Sequence, residues 1–420
     1  MDGSPNVGIE GIAVAIPRRF LALETLAVAR GVDPAKYREG LGCYRMAVPG
    51  PEEDAVTLAA EAVRSLMRHY EVDPNRVGML VVGTESGVDA AKPIAAFVHG
   101  LTGLGPRCRT FDTVHACYGA TAALRLAADW CARDRGRRAI VVASDIARYD
   151  AGSAGEPTQG AGAVAMLVSS NPAILAFEPF PEATYTADVM DFWRPVYRST
   201  ALVDGKYSLE CYLNALRATY ESFERGSGLS MRDYDRLLFH IPFPKMAYKA
   251  FRLLYEREQA LRPGLAPLDE EFEARTGSAL WANREVGNLY SASLYLAIAA
   301  LVERDGESLA GRRVGLFSYG SGSCAEFWSG RIGSDPAAWR GRIGVTQALQ
   351  NRIEVTADEY MALRLASEEK AKNESYRGPD PSADGQVRFL GIEHDRRVYH
   401  RPDSGPGSVE SPYFFSRLSS

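Results

Sequence analysis

Residues 109–130 read RTFDTVHACYGATAALRLAADW, and this strand-to-helix step is the one around which the rest of the chain is arranged. Thr110 to Val114 mixes β-branched and aromatic residues, the composition of a strand. Ala120, Ala122, Ala123, Leu124, Leu126, Ala127 and Ala128 follow as a helix apolar on nearly every face, which belongs inside a large domain. Cys117 stands between the two. There the positive end of the helix dipole and free backbone N–H groups are expected to draw its thiol toward the thiolate. A free cysteine is more commonly a small buried hydrophobe, so this stretch nominates a nucleophile without establishing one. Gly119 leaves room for backbone or substrate to approach.

The flanking segments repeat the alternation. Val7 to Ile16 reads as a strand, Ala22 to Ala29 as a short helix closing at Gly31, and Glu52 to His69 as a helix with acids in its first turn. Val77 to Gly83 (VGMLVVG) is the continuous apolar run of a strand covered on both faces, and it ends in TESG. Glu85 therefore sits at a strand's carboxyl end, where layered α/β sheets bind ligands, although a solvated loop acid is the alternative. Ile94 to Leu101 is a helix, and two more buried strands follow, Arg138 to Ser144 running into DIARYD and Ala161 to Val168. Strand and helix in this order indicate an α/β class with a mixed or parallel core.

Ile174 to Asn214 is rich in aromatics and prolines without regular period, and a connection of that length reads as a substrate-covering excursion. A helix is expected from Leu213 to Arg225. Beyond it the first pattern recurs. RLLFH (236–240) ends on a polar residue as VVGTE does, Ala247 to Glu258 is a helix, EVGNLYSASLYLAIAAL (285–301) echoes the polar group and buried helix of CYGATAALRLAA, and RVGLFS followed by YGSGS mirrors RAIVVAS followed by DIARY. Two copies of one unit are thus expected to face each other, with polar strand ends converging on an interior site. The expected parts are a first half over 1–172, the excursion over 173–235, a second half over 236–335, and a helix, linker and tail over 336–420. In that last part Thr356 to Glu369 reads as a helix, Ala371 to Gln386 as a flexible linker, Val387 to Ile392 as a late strand, and the segment past Arg401 as a polar tail.

A net charge of −5 over 420 residues, without Lys/Arg runs, argues against nucleic acid and membrane partners. MDGSPNVGIEG lacks a secretory start and no run of about 18 apolar residues occurs, so a cytoplasmic location is expected. The 6 cysteines (43, 108, 117, 131, 211, 324) and 6 histidines (69, 99, 115, 240, 394, 400) show no metal spacing. Neither metal nor cofactor is called for.

Cys117, Glu85, His240 and Asn288 share one placement, just past an apolar strand or at the mouth of a buried helix. A cysteine can take an acyl group from a thioester, a histidine and an amide can hold a thioester oxygen, and a carboxylate can move protons to and from carbon. Singly, His240 reads as a structural histidine and Asn288 as a helix cap. Lys245 and Lys249, four apart, share one helix face and suit phosphates or solvent. Gly320 to Ser323 offers backbone N–H groups to an anion. A P-loop lysine and a GxGxxG opening a helix are both missing, which excludes nucleotide and dinucleotide sites.

TESG with Glu85, HACYGATAAL with Cys117, FHIPFPKMAYKA with His240 and VGNLYSASLYLA with Asn288 resemble 3-hydroxy-3-methylglutaryl-CoA synthases, as do SDIARY, GEPTQGAGAVAML, DFWRP, ALVDG and SYGSGSCAEFWSG. The likeness spans Val7 to Gly330 and extends weakly to RFLGIEHDRRVYH. It implies a thiolase-like α-β-α-β-α layered fold of two duplicated halves, a homodimer, and CoA thioesters as substrates with no further cofactor. It implies that Cys117 is acetylated by acetyl-CoA and that Glu85 serves as base and acid in condensation with acetoacetyl-CoA. His240 would polarise the acetoacetyl group, Asn288 and Ser321 would lie near the thioester, Tyr149 matches an active-site tyrosine, and Lys245 and Lys249 match a basic stretch near CoA. His115 departs from the Gln or Glu that many relatives carry before Ala-Cys. Ketoacyl synthases share the Cys, His and Asn plan but lack the glutamate. A polyketide β-branching synthase using an acyl carrier protein is the alternative within the fold, and a non-catalytic scaffold is the alternative outside catalysis.

Overall fold

The computed structural model describes residues 6–181, 183–370, 375–378 and 385–402. The first half runs β1 (Gly8–Ala15), α1 (Ala55–His69), β2 (Val77–Thr84), α2 (Ile94–Thr102), β3 (Arg109–Val114), α3 (Gly119–Ala132), β4 (Arg138–Ile146) and β5 (Ala161–Ser169). The second runs β6 (Leu175–Phe177), β7 (Ala183–Thr186), α4 (Gly205–Ser227), β8 (Arg236–Phe239), α5 (Pro244–Leu261), α6 (Ser293–Asp305), β9 (Arg313–Gly320) and β10 (Cys324–Ile332).

Their pairing makes the duplication explicit. The first half is ordered β3-β2-β4-β5-β1 and the second β8-β9-β10-β6, joined edge to edge through β1 and β6 in a 10-stranded sheet that β7 extends alongside β10. In each half one parallel pair (β2 with β4, β8 with β9) is followed by two antiparallel pairings. Thus β1, β2, β4 and β5 correspond to β6, β8, β9 and β10. β3 of the first half and β7 of the second lack counterparts, and Asn288 is preceded by a short helix, Asn283–Val286, and not by a strand.

Alternation along the strands sends side chains into separate layers. Val81 and Val141 pack inward with Ala123, Leu124 and Ala127 of α3 and Leu294, Ile298 and Leu301 of α6. Leu80, Val82 and Val142 face outward onto Val56, Ala59 and Val63 of α1 and Val98 of α2. On the far side Leu237, Phe239, Phe317 and Phe327 meet Tyr212 and Tyr220 of α4 and Phe251 of α5. Helices, sheet, helices, sheet, helices is the resulting stack, the thiolase-like layering. In its middle, Thr121 Oγ1 lies 2.7 Å from both Tyr295 Oη and Ser318 Oγ, tying α3 to α6 and β9.

Several elements differ from the sequence reading. The excursion over 174–214 contains β6, β7 and the two-residue pair Phe192–Trp193 with Leu202–Val203. Helix α4 starts at Gly205, well before Leu213, because Asp204 accepts the Tyr207 N–H at 3.1 Å. Its polar opening turns face solvent and hide the apolar period, which begins at Tyr212. Helix α3 is also not enclosed all round, since Leu126 is half exposed. Near the end, Arg388–Glu393 matches the late strand, but Tyr376–Arg377, inside the expected linker, and Arg396–His400 complete a three-stranded sheet with it. That sheet is anchored where Asp54, the N-cap of α1, takes bonds from Arg397 at 2.6 Å and Tyr399 at 2.9 Å, partners that no local periodicity announces. Residues 371–374 and 379–384 of the expected linker and 403–420 of the tail lie outside the described residues. Among the described residues no helix is long and apolar enough to cross a membrane.

Two glycines allow the Cys117 turn to be clamped between the halves. A Cβ on Gly83 would stand 2.2 Å from Ala120 N, and one on Gly320 would stand 2.3 Å from Ala116 O. Both obstacles are backbone. We expect Gly83→Ala to lower unfolding free energy by about 3 kcal/mol in denaturant titration; a loss below about 0.5 kcal/mol would show that the clamp tolerates a methyl group.

Candidate active site

Asp145, at the end of β4, is completely buried. One oxygen accepts bonds from Thr84 Oγ1 at 2.9 Å, the Glu85 N–H at 2.8 Å and Ser86 Oγ at 3.0 Å. The other accepts from Ser291 Oγ at 2.7 Å and the Ser291 N–H at 3.2 Å. A buried carboxylate is tolerated when its lone pairs are satisfied. Here that requirement draws the loop after β2 and the loop before α6, one from each half, onto a single residue.

Glu85 is thereby aimed at Cys117, and its Oε2 accepts the Cys117 N–H at 3.1 Å. The Arg194 guanidinium bonds the Glu85 carbonyl oxygen. Cys117 is 8% exposed and adopts φ 60°, the left-handed region that non-glycine residues avoid and that recurs at functional sites. Burial, and next the Asp145 charge, raise the half-buried Glu85 carboxyl well above its ordinary 4.5; Arg194 and the Cys117 N–H oppose this. The thiol departs from expectation. Burial, and next the charges of Glu85, Asp145 and Asp191, push Cys117 up, not down, and α3 starts only at Gly119, past the thiol.

Tyr149 shares a buried cluster with Cys117, Ala147, Ala201 and Tyr290, on which Phe192 packs edge-on at 6.3 Å from Tyr149 and 5.7 Å from Tyr290. The Asn288 side chain and Tyr290 neighbour the Tyr149 hydroxyl, whose pKa burial raises. Asn288 is itself fixed: its Oδ1 accepts from the Tyr290 N–H at 2.8 Å and Ser293 Oγ at 3.1 Å, which leaves the amide NH2 for Tyr149.

The remaining candidates lie farther out. His240 follows β8 as Glu85 follows β2; it is 2% exposed, its ring centroid is 6.5 Å from that of Tyr212, and burial lowers its pKa to about 3. The ring is neutral at physiological pH, with one N–H to donate. Among the described residues no hydrogen bond joins it to Cys117 or Glu85. Ser321 lies in the β9–β10 hairpin beside Tyr319, whose hydroxyl donates to Asp191 Oδ2 at 2.8 Å. The hairpin is less open to anions than expected: the Gly322 N–H donates to Asp191 Oδ1 at 3.0 Å and the Ser323 N–H to Ala187 O at 2.6 Å. Lys245 is exposed over the Tyr248 ring at 4.4 Å, Lys249 is half-buried, and neither makes an ion pair among the described residues. His115 packs edge-on against Tyr118 at 5.6 Å. Among the described residues no group of three or more His, Cys, Asp or Glu is arranged to hold a metal ion.

Asp145, Asp191, Arg194 and Tyr290 belong to this arrangement but were not singled out from the sequence. Asp145 carried one usable signal, a charge ending the apolar run RAIVVAS. The other three are set by long-range contacts.

Comparison with known proteins adds a family likeness. Residues 4–173 match the family described as Hydroxymethylglutaryl-coenzyme A synthase N terminal, and residues 175–262 and 259–385 its C-terminal counterpart. A hydroxymethylglutaryl-CoA synthase from Enterococcus faecalis is 39% identical over 358 residues, covering 85% of this chain and 91% of the relative. Among solved structures, MvaS in complex with 3-hydroxy-3-methylglutaryl coenzyme A superposes with TM-score 0.86 and 44% identity over 94% of this chain and 99% of that one. The Curacin biosynthetic pathway HMG synthase in complex with holo donor-ACP gives 0.88 and 30% over 94% and 100%.

The raised thiol has a direct consequence. Iodoacetamide labelling of the Cys117 peptide, followed by mass spectrometry across pH, should show half-labelling well above the ordinary thiol value of about 8.5, with Glu85→Gln shifting it down. Half-labelling at or below about 8.5 in the wild type would contradict a thiol raised by burial and by its carboxylate neighbours.

Proposed function

The chain belongs to the hydroxymethylglutaryl-CoA synthase family, and on that footing we propose that it condenses acetyl-CoA with acetoacetyl-CoA and water to give HMG-CoA and CoA. The observation that carries this reading is the contact of Glu85 with the Cys117 backbone at 3.1 Å together with the raised Glu85 carboxyl. A carboxyl raised above its ordinary range is suited both to take a proton from carbon and to return it.

The Cys117 sulfur attacks the acetyl-CoA carbonyl, forming an S–C bond, and CoA leaves as the thiol with the proton that Cys117 gives up. Ionised Glu85 then removes a proton from the acetyl methyl group, and the new carbanion attacks C3 of acetoacetyl-CoA. Glu85 returns its proton to the C3 oxygen. Neutral His240 donates an N–H toward the acetoacetyl carbonyl, while the Asn288–Tyr149 pair borders the enzyme thioester. Water cleaves that thioester, restores the Cys117 thiol and frees the new carboxyl group. No cofactor enters these steps.

Lys245 and Lys249, on the helix after His240 and without an ion pair among the described residues, support CoA as the carrier, since phosphates attract such cations. A homodimer is supported by β3, an edge strand paired only with β2, whose Val114 is 80% exposed. Six free cysteines suit a reducing cytoplasm, and the reaction fits isoprenoid-precursor synthesis by the mevalonate route.

Incubation with acetyl-CoA should place an acetyl group on wild-type protein and none on Cys117→Ala by intact mass; an undiminished adduct on the variant would refute the acyl-enzyme. Glu85→Gln should acetylate yet condense on the order of 1,000-fold more slowly. Condensation by pre-acetylated enzyme should rise with pH through a titration above 4.5, because Glu85 must be ionised to act as base. The linkage to stability has the opposite sense. Folding raises the Glu85 pKa, so its contribution is present below the ordinary carboxyl range and is lost as pH rises through the folded value. Thermal scans should find this slope absent in Glu85→Gln. Strong preference for an acetoacetylated carrier protein over acetoacetyl-CoA would transfer the assignment to a polyketide β-branching synthase.

A further inference from the structure

We infer that Arg364, on the helix Ala357–Lys370 of the C-terminal segment, is a positioning residue that sets the Tyr149 hydroxyl beside Cys117. Tyr149 lies in irregular chain between β4 and the single turn Glu156–Thr158, so neither of its main-chain polar groups has a ladder partner. Both are held by side chains instead. Its N–H donates to Gln159 Oε1 at 2.7 Å and its carbonyl oxygen accepts from Arg364 Nη2.

The grip is braced from behind. Arg364 Nη1 also reaches Gln159 Oε1 at 3.2 Å and Tyr360 Oη at 3.4 Å. Gln159 Nε2 donates to Tyr360 Oη at 2.8 Å, and Tyr360 donates to Glu156 Oε1 at 3.1 Å. Arg30 clamps Glu156 through Nε at 2.8 Å and Nη2 at 2.7 Å. Glu156, Tyr360 and Gln159 are 1%, 5% and 6% exposed, and a buried network satisfied in this way has one low-energy arrangement. Its output is the position of Tyr149, which packs in one buried cluster with Cys117 and Tyr290. The C-terminal helix, which contributes no side chain to the Cys117 cluster, therefore acts on the reacting centre through one backbone carbonyl. A displacement of about 1 Å at such a centre costs on the order of 100-fold in rate.

The inference rests on the acyl-enzyme reading, and a double-mutant cycle on the full-length protein separates the two. Arg364→Ala should lower kcat about 10- to 100-fold with KM for both substrates within about twofold and an unchanged far-ultraviolet spectrum. Arg364→Lys, which keeps a cation for the Tyr149 carbonyl, should recover part of the loss. The decisive readout is coupling: Tyr149→Phe with Arg364→Ala should be no slower than Tyr149→Phe alone, because the hydroxyl to be positioned is gone. Should Arg364→Ala fail to fold, Tyr360→Phe, which unbraces Gln159, enters the same cycle. Multiplying losses in the double variant, or an unchanged kcat in Arg364→Ala, would overturn the positioning role. Absence of any acetyl adduct on the wild type would instead overturn the acyl-enzyme reading itself.

Discussion

The buried carboxylate of Asp145 is the constraint on which the rest of the site depends. A charge without water must be surrounded by donors, and these come from Thr84, Glu85 and Ser86 in one half and Ser291 in the other. Satisfying one residue thus brings the loop that carries Glu85 to the loop that carries Asn288. The same charge then raises the Glu85 carboxyl. Architecture and proton affinity are two consequences of a single buried group, so a change at Asp145 acts on both.

Duplication supplies equivalent positions, and environment gives them different chemistry. Glu85 and His240 each follow the first strand of a parallel pair, and Cys117 and Asn288 each precede the central helix of their half. In the first half burial, joined by gathered carboxylates, makes Glu85 and Cys117 both hold protons more tightly. In the second, burial without a charged partner leaves His240 neutral. The central helices bond across the middle through Thr121 and Tyr295, which keeps the two sets of groups in one frame.

Much of this was legible in one dimension because it is periodic. Continuous apolar runs marked β2, β4 and β5, the small-residue helix marked α3, and polar residues at the ends of those runs marked Glu85, Cys117 and His240. What escaped depends on partners distant in sequence. The start of α4 follows a cap and not its apolar period, and the terminal strands are held by Arg397 and Tyr399 on Asp54. The thiol was misjudged for a related reason: a dipole can be inferred from a helix, but the burial and the Glu85, Asp145 and Asp191 charges that raise the thiol come from other segments. Arg364 is some two hundred residues from Tyr149, and no local pattern links them.

The central claim is that Glu85 is a carboxyl lifted by burial and by Asp145. It is tested most directly by infrared difference titration of the wild type against Glu85→Gln, which isolates the one carboxyl band. A titration well above 4.5 that moves down in Asp145→Asn is the predicted result. A Glu85 band that titrates at or below 4.5, or one indifferent to Asp145→Asn, would contradict it.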